Sequence, residues 1–491
     1  MPASPGAIAL HWFRNDLRLD DNPALTRAAE AGALLAIYID ETDDTLRPRG
    51  GAQKWFVHHA LARLDESLKA KGSALVILRG ASRDLVPQVA KSIGARHVTW
   101  NRRYGQAERD LDSGIKAELK DAGIAAESFN GHLLYEPMEI RSQAGGPMRV
   151  FTPFWKACRA KRPVEAPLPP PASLPPLPAI DHLPGRVSLD DLEFLPTKPD
   201  WAGGLRETWQ PGEVGAQKRL LAFLAKGFRG YAEDRNRPDL PSTSMLSAHL
   251  AVGDISVRRV WQVTEQALAA RETKASATDA EKFFAELGWR EFSYHLLFHY
   301  PTLASVNYQP KFDAFPWVTD AGALAAWQKG LTGYPIVDAG MRQLWRTGFM
   351  HNRVRMIVAS FLIKHLLTDW RAGEAWFWDT LCDADPASNA ASWQWVAGSG
   401  ADAAPYFRIF NPITQGEKFD PEGHFVRTHV PEIAKLPDKF IHCPWEAPGP
   451  ILARAGIRLG ETYPRPIVSH DEARGRALEA FKALPAAASN A

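Results

Sequence analysis

The sequence predicts an N-terminal α/β domain with a doubly wound parallel sheet, joined by a long proline-rich linker to an all-α domain. Short apolar segments alternate with amphipathic helical periods up to about residue 130, which predicts the sheet and its covering helices. Prolines dominate the next segment, and nearly every segment after Glu213 has helical periodicity. We therefore expect an α/β domain at 1–135, a linker at 136–212 and a helical domain at 213–491.

Candidate strands and helices alternate regularly in the first domain. The strands are predicted at 8–13, 34–39, 74–78 and 97–100, and the helices at 23–31, 52–70, 83–93 and 107–122. This alternation favours a Rossmann-like parallel sheet with ligands at the carboxyl ends of its strands. The Gly-x-Gly-x-x-Gly fingerprint is missing after the first strand, so the sequence predicts no nicotinamide site there.

The linker and the later helices are predicted from proline content and periodicity. Residues 163–184 include proline clusters at 169–171 and 175–178. Because proline lacks a backbone donor and fixes φ, this segment should run as a stiff, extended connector. The helices after it are predicted at 216–226, 257–270, 279–300, 337–346 and 352–369.

The composition indicates a globular, cytoplasmic protein. Of the 491 residues 45% are hydrophobic, and 58 Lys and Arg nearly balance 56 Asp and Glu, so an anion site must be a local patch. The three cysteines form no Cys-x-x-Cys pair, which argues against a disulfide scaffold or a structural zinc site. No apolar run reaches the ~18 residues of a membrane span, and the N-terminus lacks signal-peptide features. Tryptophan is unusually frequent, with 17 residues.

Hydroxyl and charged residues cluster in two segments of the helical half. Residues 241–247, Pro-Ser-Thr-Ser-Met-Leu-Ser, precede an apolar helix. One Ser or Thr there is typical of a helix N-cap, whereas four hydroxyls together also suit a phosphate cradle. In the second segment Glu286, Trp289 and Arg290 share one helical face. That face suits either an ion pair beside a core tryptophan or a binding surface.

Three later segments combine amide, acidic and aromatic residues. Asn352 and Met356 lie one helical turn apart, although a methionine at this spacing usually fills a core. Residues 382–389 carry two aspartates and an asparagine, but no nearby His or Glu completes a metal-ligand set, so we expect no metal. Their carboxylates and amide can instead bind the ring edge and ribityl hydroxyls of a flavin. Residues 405–412 offer Arg408 for a phosphate or a structural carbonyl.

With these segments the sequence closely resembles the photolyase/cryptochrome family over nearly its whole length. The resemblance begins at 12–22 (Trp-Phe-Arg-Asn-Asp-Leu-Arg-Leu-Asp-Asp-Asn), continues through 332–338 (Thr-Gly-Tyr-Pro-Ile-Val-Asp) and is densest over 350–411. It implies the family's α/β domain, long linker and helical FAD-binding domain. The chain resembles bacterial photolyases for cyclobutane pyrimidine dimers, and residues 100–109 look closer to the class III branch, which is related to plant cryptochromes.

The resemblance implies a set of FAD-binding residues. Asn389 occupies the place that faces flavin N5, where an asparagine is typical of photolyases and favours the reduced, active flavin. Arg355 is similar to the arginine that pairs with an aspartate of the pocket. Phe283 and Ala285 stand where many members have Trp and Asn, and Met245 where a basic or small residue is frequent. The full implied set is Tyr231, Thr243, Ser244, Met245, Leu246, Ser247, Phe283, Glu286, Arg290, Asn352, Arg355, Asp383, Asp385 and Asn389.

The resemblance also implies catalytic and substrate-binding residues. Trp317, Trp370 and Trp393 match a chain that carries an electron from the surface to photoexcited oxidised FAD, although each alone also suits core packing. Glu286 and Asn389 are expected to act in catalysis, Glu286 by hydrogen-bonding a flipped-out dimer. The implied substrate and DNA contacts are Arg235, Glu286, Trp289, Asn352, Arg353, Met356, Trp395 and Arg408.

The function that the resemblance implies is light-driven repair of UV-damaged DNA by a monomer without membrane contact. An antenna chromophore is also expected, because Glu108 matches a folate-contacting residue, although Ala107 replaces the usual neighbouring asparagine. We favour methenyltetrahydrofolate over a deazaflavin. Two alternatives stay open. A cryptochrome-type blue-light photoreceptor would use the same FAD and tryptophan chain without repair, and an electron-transfer flavoprotein would work in the dark.

Overall fold

The computed structural model describes residues 7–180, 182–403 and 407–485. Strands of its N-terminal part form one mostly parallel sheet. The strands in chain order are β1 (Ile8–Phe13), β2 (Ala33–Glu41), β3 (Leu75–Gly80), β4 (His97–Asn101), β5 (Ala125–Phe129) and β6 (Arg186–Val187).

The sheet has the strand order β5-β4-β1-β2-β3-β6, with every neighbouring pair parallel except β3 and β6. In the register, Ala9 of β1 pairs with Leu34 of β2 on one side and with His97 of β4 on the other. The chain reverses its direction of winding at β1. The carboxyl ends of β1 and β4 therefore flank a crevice of the kind that binds ligands in doubly wound sheets. The predicted fold class is confirmed.

Helices flank the sheet and make up most of the remaining chain. None in the described ranges is both long and apolar enough to cross a membrane. In chain order they are α1 (Pro23–Ala28), α2 (Gly51–Ala70), α3 (Ser82–Ser92), α4 (Gln106–Asp121), α5 (Phe151–Lys161), α6 (Gly203–Thr208), α7 (Glu213–Ala222), α8 (Tyr231–Asp234), α9 (Ser247–Val252), α10 (Val257–Ala269), α11 (Ala277–His299), α12 (Ala321–Lys329), α13 (Pro335–Thr347), α14 (Asn352–Ser360), α15 (Trp370–Thr380), α16 (Pro386–Ala397), α17 (Pro412–Phe419), α18 (His424–His429), α19 (Asp438–Ile441), α20 (Gly449–Ala455) and α21 (His470–Lys482).

Two strands and two helix ends differ from the sequence pattern. β5 is a partly exposed edge strand and β6 is two residues long, so neither has the continuous apolar run of a buried parallel strand. α7 and α14 end earlier than predicted and continue as π-helical turns at Phe223–Gly227 and Phe361–His365. Because a π-turn adds one residue to a helix without exposing its apolar face, periodicity does not reveal it.

The range predicted as a linker contributes a helix to the body of the second domain. α5 packs against α11, where the Phe154 and Phe292 ring centroids are 5.2 Å apart. Gly288 permits this close approach, since a Cβ there would come within 2.7 Å of the Trp155 ring. By contrast, the described residues of 163–184 contain no helix or strand.

Ion pairs and hydrogen bonds join the two domains. Asp20 and Asp21, between β1 and α1, each accept two hydrogen bonds from α10, Asp20 from Arg259 and Asp21 from Arg258. On another side, the Gln53 amide of α2 donates to the backbone carbonyl of Ala384 at 2.7 Å. The α/β domain thus contacts and stabilises the loop between α15 and α16.

Candidate functional site

A cavity of about 610 Å³ lies between α8, α9, α11, α14 and α16. Its size suits a large organic cofactor, since ligand sites commonly measure roughly 300–1,000 Å³. It brings together most of the residues expected to bind cofactor or substrate, namely Tyr231, Arg235, Ser244, Leu246, Ser247, Phe283, Glu286, Trp289, Arg290, Asn352, Arg353, Arg355, Met356, Asp383, Asp385, Asn389 and Trp395. Trp393, expected in the electron-transfer chain, lines it as well.

The hydroxyl segment at 241–247 is divided between this cavity and the core. Ser244 and Ser247 line the cavity, whereas Thr243 and Met245 do not. Met245 has a left-handed backbone (φ 49°), and its side chain packs against the core of the α/β domain. Arg219 Nη1 lies 3.4 Å from its Sδ. The segment therefore presents hydroxyls to the cavity and directs the methionine away from it.

Glu286 of α11 is held between two cations. Arg235 Nη2 lies 2.8 Å from its Oε2, and Lys282 Nζ lies 3.3 Å from its Oε1. The Glu286 side chain is 26% exposed, so a ligand can reach its carboxylate. Burial, and then the charge of Glu286, raise the pKa of Tyr231 to about 12, which keeps this phenol protonated.

Asp383 combines a fixed oxygen with a free one. Arg355 Nη2 donates to Asp383 Oδ2 at 2.8 Å, and Arg355 Nε donates to the Met350 carbonyl at 2.7 Å. Asp383 Oδ1 is buried and has no hydrogen-bond partner among the described residues. Because an unsatisfied buried acceptor is costly, this atom is suited to receive a hydrogen bond from a ligand.

Both carboxylate oxygens of Asp385 already accept hydrogen bonds from described residues. Its Oδ1 caps α16 by accepting from two backbone N–H groups, and its Oδ2 accepts from the Tyr294 hydroxyl at 2.5 Å. The Tyr294 oxygen is also 2.8 Å from His132 Nε2, to which Arg290 Nη2 donates at 2.6 Å. Burial, and then the charge of Arg290, lower the pKa of His132 well below its usual value, so the neutral imidazole can accept. Arg290 thus lines the cavity while its guanidinium binds His132.

Asn389 of α16 lines the cavity, and its side chain is held by hydrogen bonds to Glu374 of α15. Its Nδ2 donates to the Glu374 carbonyl oxygen at 3.1 Å and to Glu374 Oε1 at 2.8 Å. Glu374 is bound in turn by Arg47 of the α/β domain through two hydrogen bonds of 2.7 and 2.9 Å. Asn389 therefore has a fixed orientation in the wall.

Trp289 and Trp395 provide aromatic surface on two sides of the cavity. The Trp289 ring is stacked on Phe151 of α5, with centroids 3.8 Å apart and planes at 9°. Trp395 Nε1 donates to the Asp402 carbonyl at 3.0 Å, and the Asp402 carboxylate accepts from the Phe151 backbone at 3.3 Å. Because Phe151 covers one face of Trp289, the opposite face is the one available for stacking with a ligand.

Arginines concentrate positive charge in the cavity despite the net charge of +2. Arg353 Nη2 donates to Asn236 Oδ1 at 2.6 Å, and this contact holds the guanidinium at the α14 end of the cavity. Burial, and then repulsion from Arg235, Arg353 and Arg355, lower the pKa of His351 to about 4. Five cationic side chains line the cavity, Arg235, Lys282, Arg290, Arg353 and Arg355, against three carboxylates, Glu286, Asp383 and Asp385, so the lining has a net positive charge that suits an anionic ligand.

Arg408 lies beside a second cavity of about 160 Å³, which Lys311, Lys364 and Trp395 also line. Lys364 Nζ donates to the Arg408 carbonyl. Burial, and then repulsion from Arg408, lower the pKa of Lys364 to about 7. Trp395 and Val396 line both cavities, whereas Arg408 lines only the second one. Residues 405 and 406, the first two of the predicted segment 405–412, lie outside the described residues.

The three tryptophans predicted to carry electrons pack in one apolar cluster and differ in exposure. Trp393 lines the cavity, and Gly373 makes room for it, since a Cβ there would come within 2.1 Å of the Trp393 ring. Trp370 is fully buried, and its Nε1 donates to Asn307 Oδ1 at 2.9 Å. Trp317 is half-buried. Trp393 at the cavity and the partly exposed Trp317 suit the two ends of the predicted chain, and the electron-transfer role stays a prediction.

Glu108 lies at the crevice of the sheet, where it caps α4. Its Oε2 accepts from the Gly105 backbone at 3.0 Å, and Arg103 Nε lies 3.5 Å from its Oε1. The adjoining cavity measures about 20 Å³. This volume holds about one water molecule rather than a folate. The antenna role of Glu108 stays a prediction.

Several residues of the site were not found from the sequence. Phe151, Tyr294, Glu374 and Arg47 reach it only through tertiary packing, so no local pattern marks them. Lys282 is different, because it lies four residues before Glu286 on the same helical face, a spacing that the sequence shows. In the ranges that the structure describes, no group of three or more His, Cys, Asp or Glu side chains could hold a metal ion.

Two family models match the chain. Residues 9–174 match the model for DNA photolyase, and residues 283–483 match the model for the FAD binding domain of DNA photolyase. Over 479 residues, the sequence is 52% identical to the deoxyribodipyrimidine photo-lyase of Agrobacterium fabrum, in a match that covers 97% of this chain and 98% of that protein. The chain belongs to the photolyase/cryptochrome family. The predicted family is therefore confirmed.

Solved and sequenced members of the photolyase/cryptochrome family agree with this placement. The crystal structure of a bacterial class III photolyase from Agrobacterium tumefaciens matches with a TM-score of 0.93 and 51% identity, over 97% of this chain and 98% of that one. Cryptochrome-2 of Arabidopsis thaliana is 39% identical over 94% of this chain and 77% of its own length. The match thus extends through both domains.

The cavity fits the FAD that the photolyase FAD-binding domain implies. Asp383 Oδ1 is a buried acceptor without a partner among the described residues. Ser244 and Ser247 add hydroxyls, and Arg355 adds a guanidinium that already pairs with Asp383. Acceptor, hydroxyl and cationic groups around one large cavity are the contacts that ribityl, ring-edge and phosphate atoms need.

Proposed function

We propose that this chain splits cyclobutane pyrimidine dimers in UV-damaged DNA by blue-light-driven electron transfer from bound, reduced FAD. One observation carries the proposal: a single cavity contains both the residues expected to hold the flavin and those expected to hold a flipped-out dimer. Asp383 and Asn389 line it together with Glu286, Met356 and Trp395. The 52% identity to a deoxyribodipyrimidine photo-lyase supports the same activity.

The chain's own residues place the cofactor and control its surroundings. Bound FAD supplies the light-absorbing electron donor, as cofactors supply the difficult chemistry in enzymes of this kind. Asp383, fixed by Arg355, offers its free oxygen to a hydroxyl or N–H of the cofactor. Ser244 and Ser247 offer hydroxyls to the phosphates and the ribityl chain.

Glu286 and its neighbours are suited to hold the dimer. Extrusion of a base costs a few kcal/mol and is least costly at a damaged step, and photolyases are themselves standard examples of this behaviour. The open face of Trp289 and the ring of Trp395 would flank the extruded bases. The Glu286 carboxylate would accept hydrogen bonds from pyrimidine N–H groups. Arg235 and Lys282, both at Glu286, would stabilise the negative charge of a dimer that has received an electron.

The reaction consumes no external reductant. A dimer that receives one electron would lose the two carbon–carbon bonds that join its pyrimidines, and the electron would then return, so no net oxidation or reduction occurs. Arg353 and Arg408 would bind the DNA phosphates on either side of the dimer, which makes the affinity salt-dependent even though the net charge is only +2. Trp317, Trp370 and Trp393 would restore the reduced cofactor when it is oxidised.

We further propose class III membership, an antenna and a cytoplasmic, monomeric state. The TM-score of 0.93 to a bacterial class III photolyase supports the class. The relatives from Agrobacterium are bacterial, and DNA in bacteria is cytoplasmic, which supports the location. Methenyltetrahydrofolate is the proposed antenna on the resemblance around Glu108. Because the cavity there measures about 20 Å³, this chromophore requires either an opened crevice or another place on the surface.

A repair assay tests the proposed function. The purified FAD-loaded protein is reduced and mixed with an oligonucleotide that contains one thymine dimer, and samples are kept in blue light or in darkness. We expect dimer loss in light only. Intact dimers in both samples would contradict the repair proposal. Light-dependent self-association without repair would favour the photoreceptor alternative.

A further inference from the structure

We infer that Arg47 of the α/β domain is a positioning residue, which acts through Glu374 to fix the atom that Asn389 presents to the flavin ring. The inference rests on the proposed FAD site. It assigns to the α/β domain a part in setting the electron affinity of the cofactor. Arg47 lies between β2 and α2, whereas Glu374 and Asn389 lie on α15 and α16.

The three side chains form one continuous chain of hydrogen bonds. Arg47 Nη1 and Nη2 lie 2.7 and 2.9 Å from Glu374 Oε1 and Oε2, so the pair is bidentate. Glu374 Oε1 also accepts from Asn389 Nδ2 at 2.8 Å. The Glu374 side chain is only 5% exposed, while that of Arg47 is 39% exposed. A buried carboxylate of this kind needs its cation, and Arg47 provides it.

These contacts leave Asn389 one possible amide orientation. Its Nδ2 faces two oxygens of Glu374, the carbonyl oxygen and Oε1. A flipped amide would direct its own oxygen at both of these acceptors, which is repulsive. Both hydrogens of the amide nitrogen are therefore used. Asn389 Oδ1, which accepts from no described residue, is the polar atom left for the cavity.

An acceptor and a donor at this position have opposite effects on a flavin. The family resemblance implies that Asn389 faces flavin N5, and a reduced flavin, which carries a proton on N5, would then donate to Asn389 Oδ1. Oxidised flavin has an unprotonated N5, which accepts and would prefer the amide nitrogen. Fixing the oxygen toward the ring therefore stabilises the reduced state, the form that the proposed repair requires.

The loop that carries Arg47 is itself held against α15. The Arg47 guanidinium lies 4.1 Å over the Trp378 ring, and Trp378 Nε1 donates to the Pro48 carbonyl at 2.8 Å. Gly50 lets the loop approach, since a Cβ there would come within 2.1 Å of the Trp378 carbonyl oxygen. The loop that carries Arg47 is thus packed against α15, and this packing fixes the position of the Arg47 guanidinium.

Redox equilibration of the FAD-loaded protein tests the inference. Arg47→Gln, Glu374→Gln and the double variant are compared with wild type in the dark, without DNA, against a dye of known potential. Arg259→Gln is the matched control, because Arg259 and Asp20 form a second bidentate pair between the domains, outside the cavity lining. The measured quantity is the ratio of reduced to oxidised flavin at a fixed dye potential.

We expect Arg47→Gln to lower this ratio about tenfold, which corresponds to about 1.4 kcal/mol. Arg259→Gln should leave it unchanged, and Arg47→Lys should lie between wild type and Arg47→Gln. If Arg47 acts through Glu374, Arg47→Gln should change the ratio less than about twofold in the Glu374→Gln background. Equal ratios in Arg47→Gln and Arg259→Gln, or independent effects of Arg47 and Glu374, would overturn the inference. Because no dimer takes part, failure of repair would not alter this readout.

Discussion

Arg235 and Glu286 form an ion pair inside the candidate substrate site, with Arg235 Nη2 2.8 Å from Glu286 Oε2. The pair connects the end of α8 to the middle of α11, on which Trp289 also lies. A dimer that enters the cavity therefore meets an acceptor and a cation side by side. The acceptor can bind pyrimidine N–H groups, and the cation can offset the electron that the dimer receives.

The first prediction concerns Glu286. We expect Glu286→Ala to slow ring splitting about tenfold to a hundredfold, because a hydrogen bond to a charged group is worth about 1.5–3 kcal/mol. FAD should stay bound, which its absorbance reports. The matched control is Glu281→Ala, an exposed glutamate on the same helix that does not line the cavity. Equal repair per absorbed photon in both variants would show that Glu286 does not bind the dimer.

The second prediction separates photoreduction from repair. Trp393→Phe should abolish photoreduction of oxidised FAD but spare repair by chemically reduced protein, because only the first process needs an electron from the tryptophan chain. Trp327→Phe is the control, since its ring lies 6.3 Å from Trp393 in the same cluster. Transient absorption measures the photoreduction. Unchanged photoreduction in Trp393→Phe would contradict the prediction that the tryptophan chain carries electrons to FAD.

The third prediction concerns FAD binding at Asp383. Asp383→Asn removes the charge that pairs with Arg355 and replaces one acceptor with a donor. We expect the Kd for FAD to rise at least about tenfold, because an amide has one acceptor oxygen and cannot accept from both Arg355 and the cofactor. Titration of the apoprotein with FAD measures it. Asp379→Asn is the control, since Asp379 accepts from the Gly51 backbone outside the cavity. A similar Kd for both variants would speak against Asp383 as a cofactor ligand.

The fourth prediction is a pH dependence of stability that arises from Glu291. Glu291 is buried, and burial raises its pKa to about 7, although Arg290 opposes this shift. Since the folded state holds the proton more tightly than the unfolded state, the stability this proton confers is complete below the ordinary pKa of 4.5 and is lost by about pH 7.

Urea unfolding at pH 5 and pH 8 measures this effect, with Glu291→Gln as the comparison. The wild type should lose roughly 2–3 kcal/mol more than Glu291→Gln between these pH values. The glutamine of the variant would keep an acceptor for the Leu134 and Tyr135 backbone N–H groups, which bind Glu291 Oε2 at 2.8 and 3.1 Å. Parallel pH profiles for the two proteins would show that Glu291 does not titrate in this range.

The parts of the molecule that sequence reasoning could predict are those with a local signal. Strand β2 has a continuous apolar run from Ala33 to Ile39, and α11 has an apolar period, so their existence follows from the sequence. β5 does not, because an edge strand needs no such run. Met245 lies within a segment of correct character, yet its left-handed φ directs it to a different core. The backbone conformation at this single residue determines which core the side chain joins, and the amino-acid composition of the segment does not reveal that conformation.

The same limit applies to the site. The family resemblance paired Arg355 with an aspartate of the pocket without saying which one, and the structure shows that it is Asp383, 2.8 Å away. Arg47 and Glu374 lie 327 residues apart in sequence. Neither is marked by a motif, since an ion pair between domains needs only one cation, one anion and the right tertiary arrangement. Such residues are found from coordinates.

The stack of Phe151 on Trp289 has a consequence for how the protein can be divided. Phe151 begins α5, and α5 precedes the proline segment that looks like the natural place to cut the chain. A fragment that started after that segment would lack Phe151. Both faces of Trp289 would then be uncovered, and the Asp402 carboxylate would lose the hydrogen bond from the Phe151 backbone. The repair half therefore begins before the connector, and the two halves of this chain are not interchangeable modules.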